Sequence, residues 1–474
     1  MDPTTLSATE QSDTIAGGTL SAAELMQATL ERIAVTNGSV NAIVSLRDPD
    51  DLITEARAAD RAPRKGWLHG IPIAIKDLAN AKGLPTSKGS PLFAGQIAAE
   101  DDLMVSRLKE QGALVIGKTN TPEFGLGSHT FNPVHGPTRN PYDLTKSAGG
   151  SSGGAGAALA ARMLSVADGS DMMGSLRNPA AWNNVYGLRP TWGAVPSEPT
   201  GDIFMHQLST LGPMARTPLD LARLLDTMAG PDSRQPHGLT PDAAAPQVKE
   251  RGPRLRLGWL GDWGGALPFE PGLLDLSERA LHQFGDMGHE VHPLGPPFDA
   301  EAMWESWITL RSFSVAAGLH EHFLEPKERD YLKPAARWEV ERGIAMSAME
   351  LHAASMVRSD WFRRTTPLFE EVDVLVLPSA QCWPFDLSLT HPTEIAGVQM
   401  DTYHRWMQVV IPASLIGLPV VNLPIGFGEN GLPAGLQIIA GRGGEGRLLQ
   451  FANEWHQATD WPNRRPPEFT ALVE

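Results

Sequence analysis

The sequence predicts an α/β protein, and three observations carry that expectation. Short apolar, β-branched runs recur along the chain: residues 70–75 (GIPIAI), 113–117 (ALVIG), 255–260 (LRLGWL) and 373–378 (DVLVLP). Each has the length and composition of a core strand. Stretches of helical length lie between them, and strands alternating with helices are the pattern of parallel βαβ units. Hydrophobic residues make up 42% of the 474 residues and charged residues 20%, the balance of a soluble globular protein with a sizeable core.

In chain order, residues 1–18 read as a polar lead-in. Ser21 and Glu24 form a capping box, in which hydroxyl and carboxylate satisfy reciprocal orphan N–H groups. Leu20 and Leu25 stand at the staple positions, and Met26, Leu30 and Ile33 share one face of the helix that follows. A second helix is expected over 52–61, then the strand 70–75 with Lys76 where it emerges. Residues 83–87 form a turn. Residues 101–112 are helical and end in glycine, a C-cap residue, before the strand 113–117. Residues 125–137 are Gly-rich and polar, carry His129 and His135, and read as part of a cleft rim. Residues 155–167 are small or apolar and read as a buried helix followed by a short extended run.

Beyond Pro190 the chain gives a helix over 219–228 and a surface linker over 232–254, rich in proline, alanine and charge. A strand over 255–260 and an amphipathic helix over 270–288 follow. Residues 300–365 are mostly helical and carry Trp304, Trp307, Phe313, Trp338, Trp361 and Phe362. Taken singly, each of these aromatics fits a helix–helix core as well as any site. Residues 373–378, 412–425 and 431–440 are further core segments, and 445–459 is a closing helix.

Composition narrows the function. Thirty-nine basic and 55 acidic residues give a net charge of −16, which disfavours nucleic acid and anionic membrane surfaces alike. The only cysteine, Cys382, forbids an intrachain disulfide. The 14 histidines are scattered without CxxC or HExxH spacing, so no metal is expected. No apolar run approaches the roughly 20 residues that span a bilayer. The polar opening Met1-Asp2-Pro3-Thr4-Thr5 lacks the basic and apolar regions of a signal peptide, and the cytoplasm is the expected compartment.

The chemistry concentrates in residues 146–190. Ser151 and Ser152 sit inside GGSSGG (149–154), and Ser175 inside DMMGSLR (171–177). A Gly-rich loop opening a helix brings backbone N–H groups and small hydroxyls close to another group. No Gly-Lys-Ser/Thr follows, so the phosphate-loop pattern fails. A serine nucleophile needs a neighbouring base. Lys76, at the end of a wholly apolar run, is either a strand terminus reaching solvent or a buried amine.

Four segments, LHGIPIAIKD (68–77), GKTNTPEF (117–124), GGSSGG (149–154) and GSDMMGSLRNP (169–179), resemble in content and order the amidase signature family. The resemblance covers most of residues 15–230 and returns near the C-terminus. It implies one large α/β/α domain over 1–474 with a mixed central sheet and a variable helical insertion. Within it, 15–230 would be a catalytic core half, 231–370 a variable, aromatic-rich region lining the substrate entrance, and 371–474 a C-terminal core half.

The resemblance also implies a Ser–cis-Ser–Lys triad. Lys76 would be a neutral base, Ser151 the relay after a cis bond from Gly150, and Ser175 the nucleophile that forms an acyl-enzyme. The backbone N–H groups of Met172, Met173, Gly174 and Ser175 would form the oxyanion hole. Asp171 and Arg177 are expected to frame the loop as an ion pair or hydrogen-bond pair. Ser152 would support it by bonding to backbone, and Ser147, Ser165 and Ser170 are assigned no role. With a lysine base available, His129 and His135 read as structural or surface groups.

The chain departs from the family at one place. Members usually have Asp-Thr-Gly-Gly-Ser, where this chain has Asp171-Met172-Met173-Gly174-Ser175. Met173 replaces a glycine, a strained exchange if φ were positive there. The expectation is compatible dihedrals, with both methionines packed beside the site.

The implied activity is hydrolysis of a non-peptide C–N bond in an amide, anilide or carbamate, and the methionines and aromatics favour apolar or aryl groups. The implied partner is a small-molecule substrate, without cofactor, nucleic acid or membrane; a homo-oligomer is compatible with it. Two alternatives are the amidase subunit of a tRNA-dependent amidotransferase and a catalytically inactive binding protein.

Overall fold

The apolar runs become strands of two sheets. The computed structural model describes residues 2–250 and 252–469. Residue 1 of the lead-in, residue 251 of the linker and residues 470–474 of the C-terminal half lie outside the described residues. A small sheet holds β1 (Ile43–Val44), β2 (Pro72–Lys76) and β3 (Leu114–Thr119) in the order β1-β3-β2. The large sheet holds β4 (Val166–Asp171), β5 (Tyr186–Arg189), β6 (Thr210–Ala215), β7 (Arg256–Trp259), β8 (Glu290–Pro293), β9 (Val374–Pro378), β10 (Val420–Phe427) and β11 (Pro433–Ile439). Its order is β8-β7-β9-β11-β10-β5-β6-β4.

The fold is α/β with a large mixed sheet. Parallel pairing appears where a helix crosses over: β2 with β3, and β7 with both β8 and β9. The remaining neighbours of the large sheet run antiparallel. Connection length explains part of the difference. Residues 428–432 separate β10 from β11, and so short a turn can join only antiparallel strands.

The helix Gly153–Ala160 is buried on every side. That is why all but Leu159 of it is glycine or alanine: a Cβ on Gly154 would lie 2.3 Å from the Asn120 backbone nitrogen. Ser21 and Glu24 form their capping box at the head of the helix Ala22–Val40. Gly112, with φ of +90°, follows the helix Leu103–Glu110 and turns the chain into β3.

The helices Ala300–Leu324, Pro334–Ala345 and Ala348–Glu371 divide their aromatics between two duties. Trp304, Trp307 and Trp361 are at most 1% exposed and belong to the core, whereas Phe362 is 40% exposed and Trp338 faces a cavity. Among the described residues no helix is long and apolar enough to cross a membrane.

Two segments are more ordered than their composition suggests. The lead-in contains the helix Ala8–Ala16, with a capping box of Ser7 and Glu10. Its first N–H groups are received by the buried Asp220 carboxylate, Ala8 at 2.8 Å and Thr9 at 2.8 Å. The linker contains the helix Ala244–Val248, docked in the same way on Asp226 through Ala244 (2.7 Å) and Ala245 (2.9 Å). In both cases a distant carboxylate takes the orphan donors of a helix N-terminus.

Candidate active site

The site forms where the edges of the two sheets meet. Lys76 is the last residue of β2 and only 2% exposed. Its backbone N–H donates to Asp168 Oδ1 on β4 (3.0 Å), a side-chain bridge from the small sheet to the large one. Its Nζ lies 2.8 Å from Ser151 Oγ, 2.8 Å from Ser152 Oγ and 3.0 Å from Ser170 Oγ. The lysine is thus a buried amine ringed by hydroxyls. Burial lowers its pKa to about 7, against the pull of the Asp168 and Asp171 carboxylates. Burial likewise raises Asp168 to about 6. A second buried lysine, Lys118, lies 3.7 Å from Asp77 and donates to the Ala79 carbonyl, which fixes the chain just beyond Lys76.

Ser151 follows a cis peptide bond from Gly150. Ser128 Oγ lies between the Gly150 carbonyl and Asn178 Oδ1, 2.7 Å from the latter. Ser152 is fully buried; besides Lys76, its Oγ meets the Ser170 backbone N–H at 3.4 Å. Ser170, assigned no role from the sequence, belongs to the lysine's shell. Nothing in the sequence marks it apart from its neighbours; only the end of β4 brings it there. Ser147 Oγ pairs with His129 Nδ1 at 2.8 Å, and burial lowers the His129 pKa to about 4. His135 Nε2 stands 3.8 Å from Asp77 Oδ2. Neither histidine is in the lysine's shell.

The loop after β4 is built around one carboxylate. Asp171 accepts the N–H groups of Gly174 and Leu176, each at 3.0 Å. It also pairs with Arg177 (3.0 Å) and Arg189 (3.1 Å). All three charged side chains are fully buried. Burial alone would raise the Asp171 pKa, but the two guanidiniums outweigh it and hold the group well below the usual carboxylate range. Arg177 continues outward to the Val410 carbonyl (3.0 Å) and Gln437 Oε1 (2.8 Å). Losing Asp171 would strand two buried guanidiniums, at a cost of roughly 3–5 kcal/mol.

This frame decides which loop N–H groups face outward. The Gly174 N–H is engaged by Asp171, so it is not a free donor. Those of Met172, Met173 and Ser175 form no hydrogen bond among the described residues. Gly174 takes φ of +80° and its α-carbon packs on Val410, a position where a side chain would be strained. The positive φ thus falls on the retained glycine, not on Met173.

Ser151, Met172, Met173 and Ser175 together line a cavity of about 100 Å³. Ser175 is 7% exposed, and its Oγ forms no hydrogen bond among the described residues. Arg311, which no motif marks, lines the same cavity. It is held by Glu339 (2.8 Å) and Tyr403 (2.8 Å) and approaches Met172 Sδ at 3.3 Å. Leu126 and Gly127 are shared with an outer cavity of about 530 Å³, whose walls include Phe131, Trp338, Tyr403 and Trp406. A larger cavity of about 610 Å³, between Arg47, His69 and Lys109, contains none of these groups. Among the described residues no group of three His, Cys, Asp or Glu side chains is placed to hold a metal.

The chain belongs to the amidase family, whose model, described as Amidase, matches residues 24–449. It is therefore an enzyme acting on amide C–N bonds. It is 33% identical over 476 residues to an acylamidase of Rhodococcus erythropolis, covering 98% of this chain and 97% of that protein. It is 35% identical over 477 residues to a glutamyl-tRNA(Gln) amidotransferase subunit of Methylococcus capsulatus, covering 94% of this chain and 95% of that protein. Among solved structures it resembles a bacterial aryl acylamidase of the amidase signature family. The TM-score is 0.89 at 27% identity, with 97% of this chain and 99% of the other covered.

Proposed function

We propose that the chain hydrolyses small amides or anilides carrying an apolar or aryl group, through an acyl-enzyme on Ser175. Carbamates present the same carbonyl and fall within the proposal. The observation that carries it is the Lys76 Nζ to Ser151 Oγ distance of 2.8 Å, at the wall of a cavity that also receives Ser175.

Neutral Lys76 takes the Ser151 hydroxyl proton as Ser151 takes that of Ser175. The freed Ser175 oxygen attacks the carbonyl carbon. The oxyanion is received by the N–H groups of Met172, Met173 and Ser175, each worth up to roughly 3–4 kcal/mol in the transition state. The proton then returns through Ser151 to the leaving nitrogen and the C–N bond breaks. Water attacks the ester by the same route, and the carboxylic acid leaves.

The aromatic walls of the outer cavity, and the acylamidase relatives, support the aryl or apolar preference. Part of that wall, Lys333, Pro334, Ala335 and Trp338, comes from residues 231–370, which supports reading that stretch as the entrance. Turnover of a panel of aryl amides, fatty amides, carbamates and glutamine tests the proposal; glutamine as the best substrate would overturn it. That outcome belongs to the second reading, the amidase component of an amidotransferase, which the 35% identity to the Methylococcus protein favours. It would also require a partner to receive the ammonia.

Met173 is 3% exposed and lines the cavity that receives Ser175. Met173→Ala is expected to lower stability by about 2–5 kcal/mol and to shift the kcat/KM ratio between bulky and small acyl groups in favour of the bulky. Melting temperature and the two kcat/KM values, measured on one preparation, check both effects. An unchanged ratio would make Met173 a packing residue only.

A further inference from the structure

The outer cavity has one charged end. Lys333 precedes the helix Pro334–Ala345 and is half-buried. Its backbone N–H donates to Glu123 Oε2 (3.2 Å), and its Nζ donates to the Leu126 carbonyl (2.6 Å). An ammonium has three N–H donors, and this is the only bond its Nζ forms among the described residues. No carboxylate of the described residues lies within ion-pair distance of it.

The groups around it do not cancel its charge. Asp401, the one carboxylate on the cavity wall, is exposed to solvent and lies 3.7 Å from Arg405, which also pairs with Glu301. The nearby Glu123 is turned to Ser90 Oγ (2.8 Å) and to the Lys333 backbone. Burial lowers the pKa of His129 and His391, which leaves both neutral. The Tyr403 hydroxyl is bound by Glu339 (2.7 Å) and Arg311 (2.8 Å). Burial lowers Lys333 to about 8, against Glu123, so it is mostly charged at neutral pH. The net charge of −16 repels anions at long range, but that field is screened within about 8–10 Å in ordinary salt. Inside the cavity the ammonium decides.

We propose that the outer cavity takes an arene carrying a carboxylate: the ring lies among Phe131, Trp338, Tyr403 and Trp406, and Lys333 receives the carboxylate. This narrows the substrate to amides whose aromatic part is an acid, and it rests on the amidase reading of the adjoining serine cavity.

The test is kcat/KM for 4-acetamidobenzoate and for acetanilide in wild type, Lys333→Met and Lys333→Arg. The wild type should favour the carboxylate. The anionic-to-neutral ratio should fall about 10- to 100-fold in Lys333→Met, the scale of one hydrogen bond to a charged group, and largely recover in Lys333→Arg. A wild type that prefers acetanilide, or a ratio unchanged in Lys333→Met, overturns the proposal. Calorimetric titration of 4-aminobenzoate and aniline into Ser175→Ala separates the two readings and does not depend on how Lys333→Met folds. Binding of the carboxylate alone supports the cavity assignment even if neither amide is hydrolysed, and its failure overturns the assignment even if other amides are.

Discussion

Ser175→Ala is expected to abolish amide hydrolysis, with kcat falling on the order of 10⁶-fold, the scale at which a serine hydrolase loses its nucleophile. The fold should survive. Ser175 Oγ forms no hydrogen bond among the described residues, and the loop is held by Asp171 through Gly174, Leu176 and Arg177. The melting temperature should therefore stay near that of the wild type, and labelling by a fluorophosphonate should vanish. Labelling that persists would move the nucleophile to Ser151, which faces the same cavity. Ser152 is fully buried against Lys76 and is the poorer candidate.

The second large effect concerns the base. Lys76→Ala should lower amide hydrolysis by about 10²–10⁴, the usual contribution of general acid–base catalysis. An activated ester, whose leaving group needs no proton, should suffer less. The pH profile gives an independent check. Burial lowers Lys76 from the ordinary lysine value of 10.5 to about 7, and the neutral amine is the active form. The wild-type kcat/KM should rise with pH below about 7 and level off above it. A limb still rising toward pH 10 would mean a solvated amine, and equal losses on amide and ester would mean that Lys76 only supports the loop.

Lys76, Ser151 and Ser175 stood out only through the four motifs that resemble the amidase signature family; the residues alone left Lys76 open between a solvated strand terminus and a buried amine. Strand direction was less legible. An apolar run such as 420–427 has the same pattern whether its neighbour runs parallel or antiparallel, and only the short turn before β11 decides. The free-donor set was not legible either: that Gly174 donates to Asp171 depends on a side chain curling back three residues. Arg311, Glu339 and Tyr403 come from three separate segments, and nothing local to any of them announces the others. The lead-in helix had a visible signal in Ser7 and Glu10, but so short and polar a stretch gains its stability from Asp220, more than 200 positions away.

The Lys76–Asp168 bridge has a further meaning. The proposed base rides on the edge of the three-stranded sheet, and the serine loop hangs from the edge of the eight-stranded one. The proton wire therefore crosses a seam, and its length is set by how two separately hydrogen-bonded bodies are clamped together. A slip of one ångström along that seam would disconnect the amine from the hydroxyl while leaving Ser175 and the N–H groups of its loop as they were. The enzyme thus has an alignment tolerance as well as a stability, and substitutions far from substrate, in the packing between β2 and β4, could exhaust the first without touching the second.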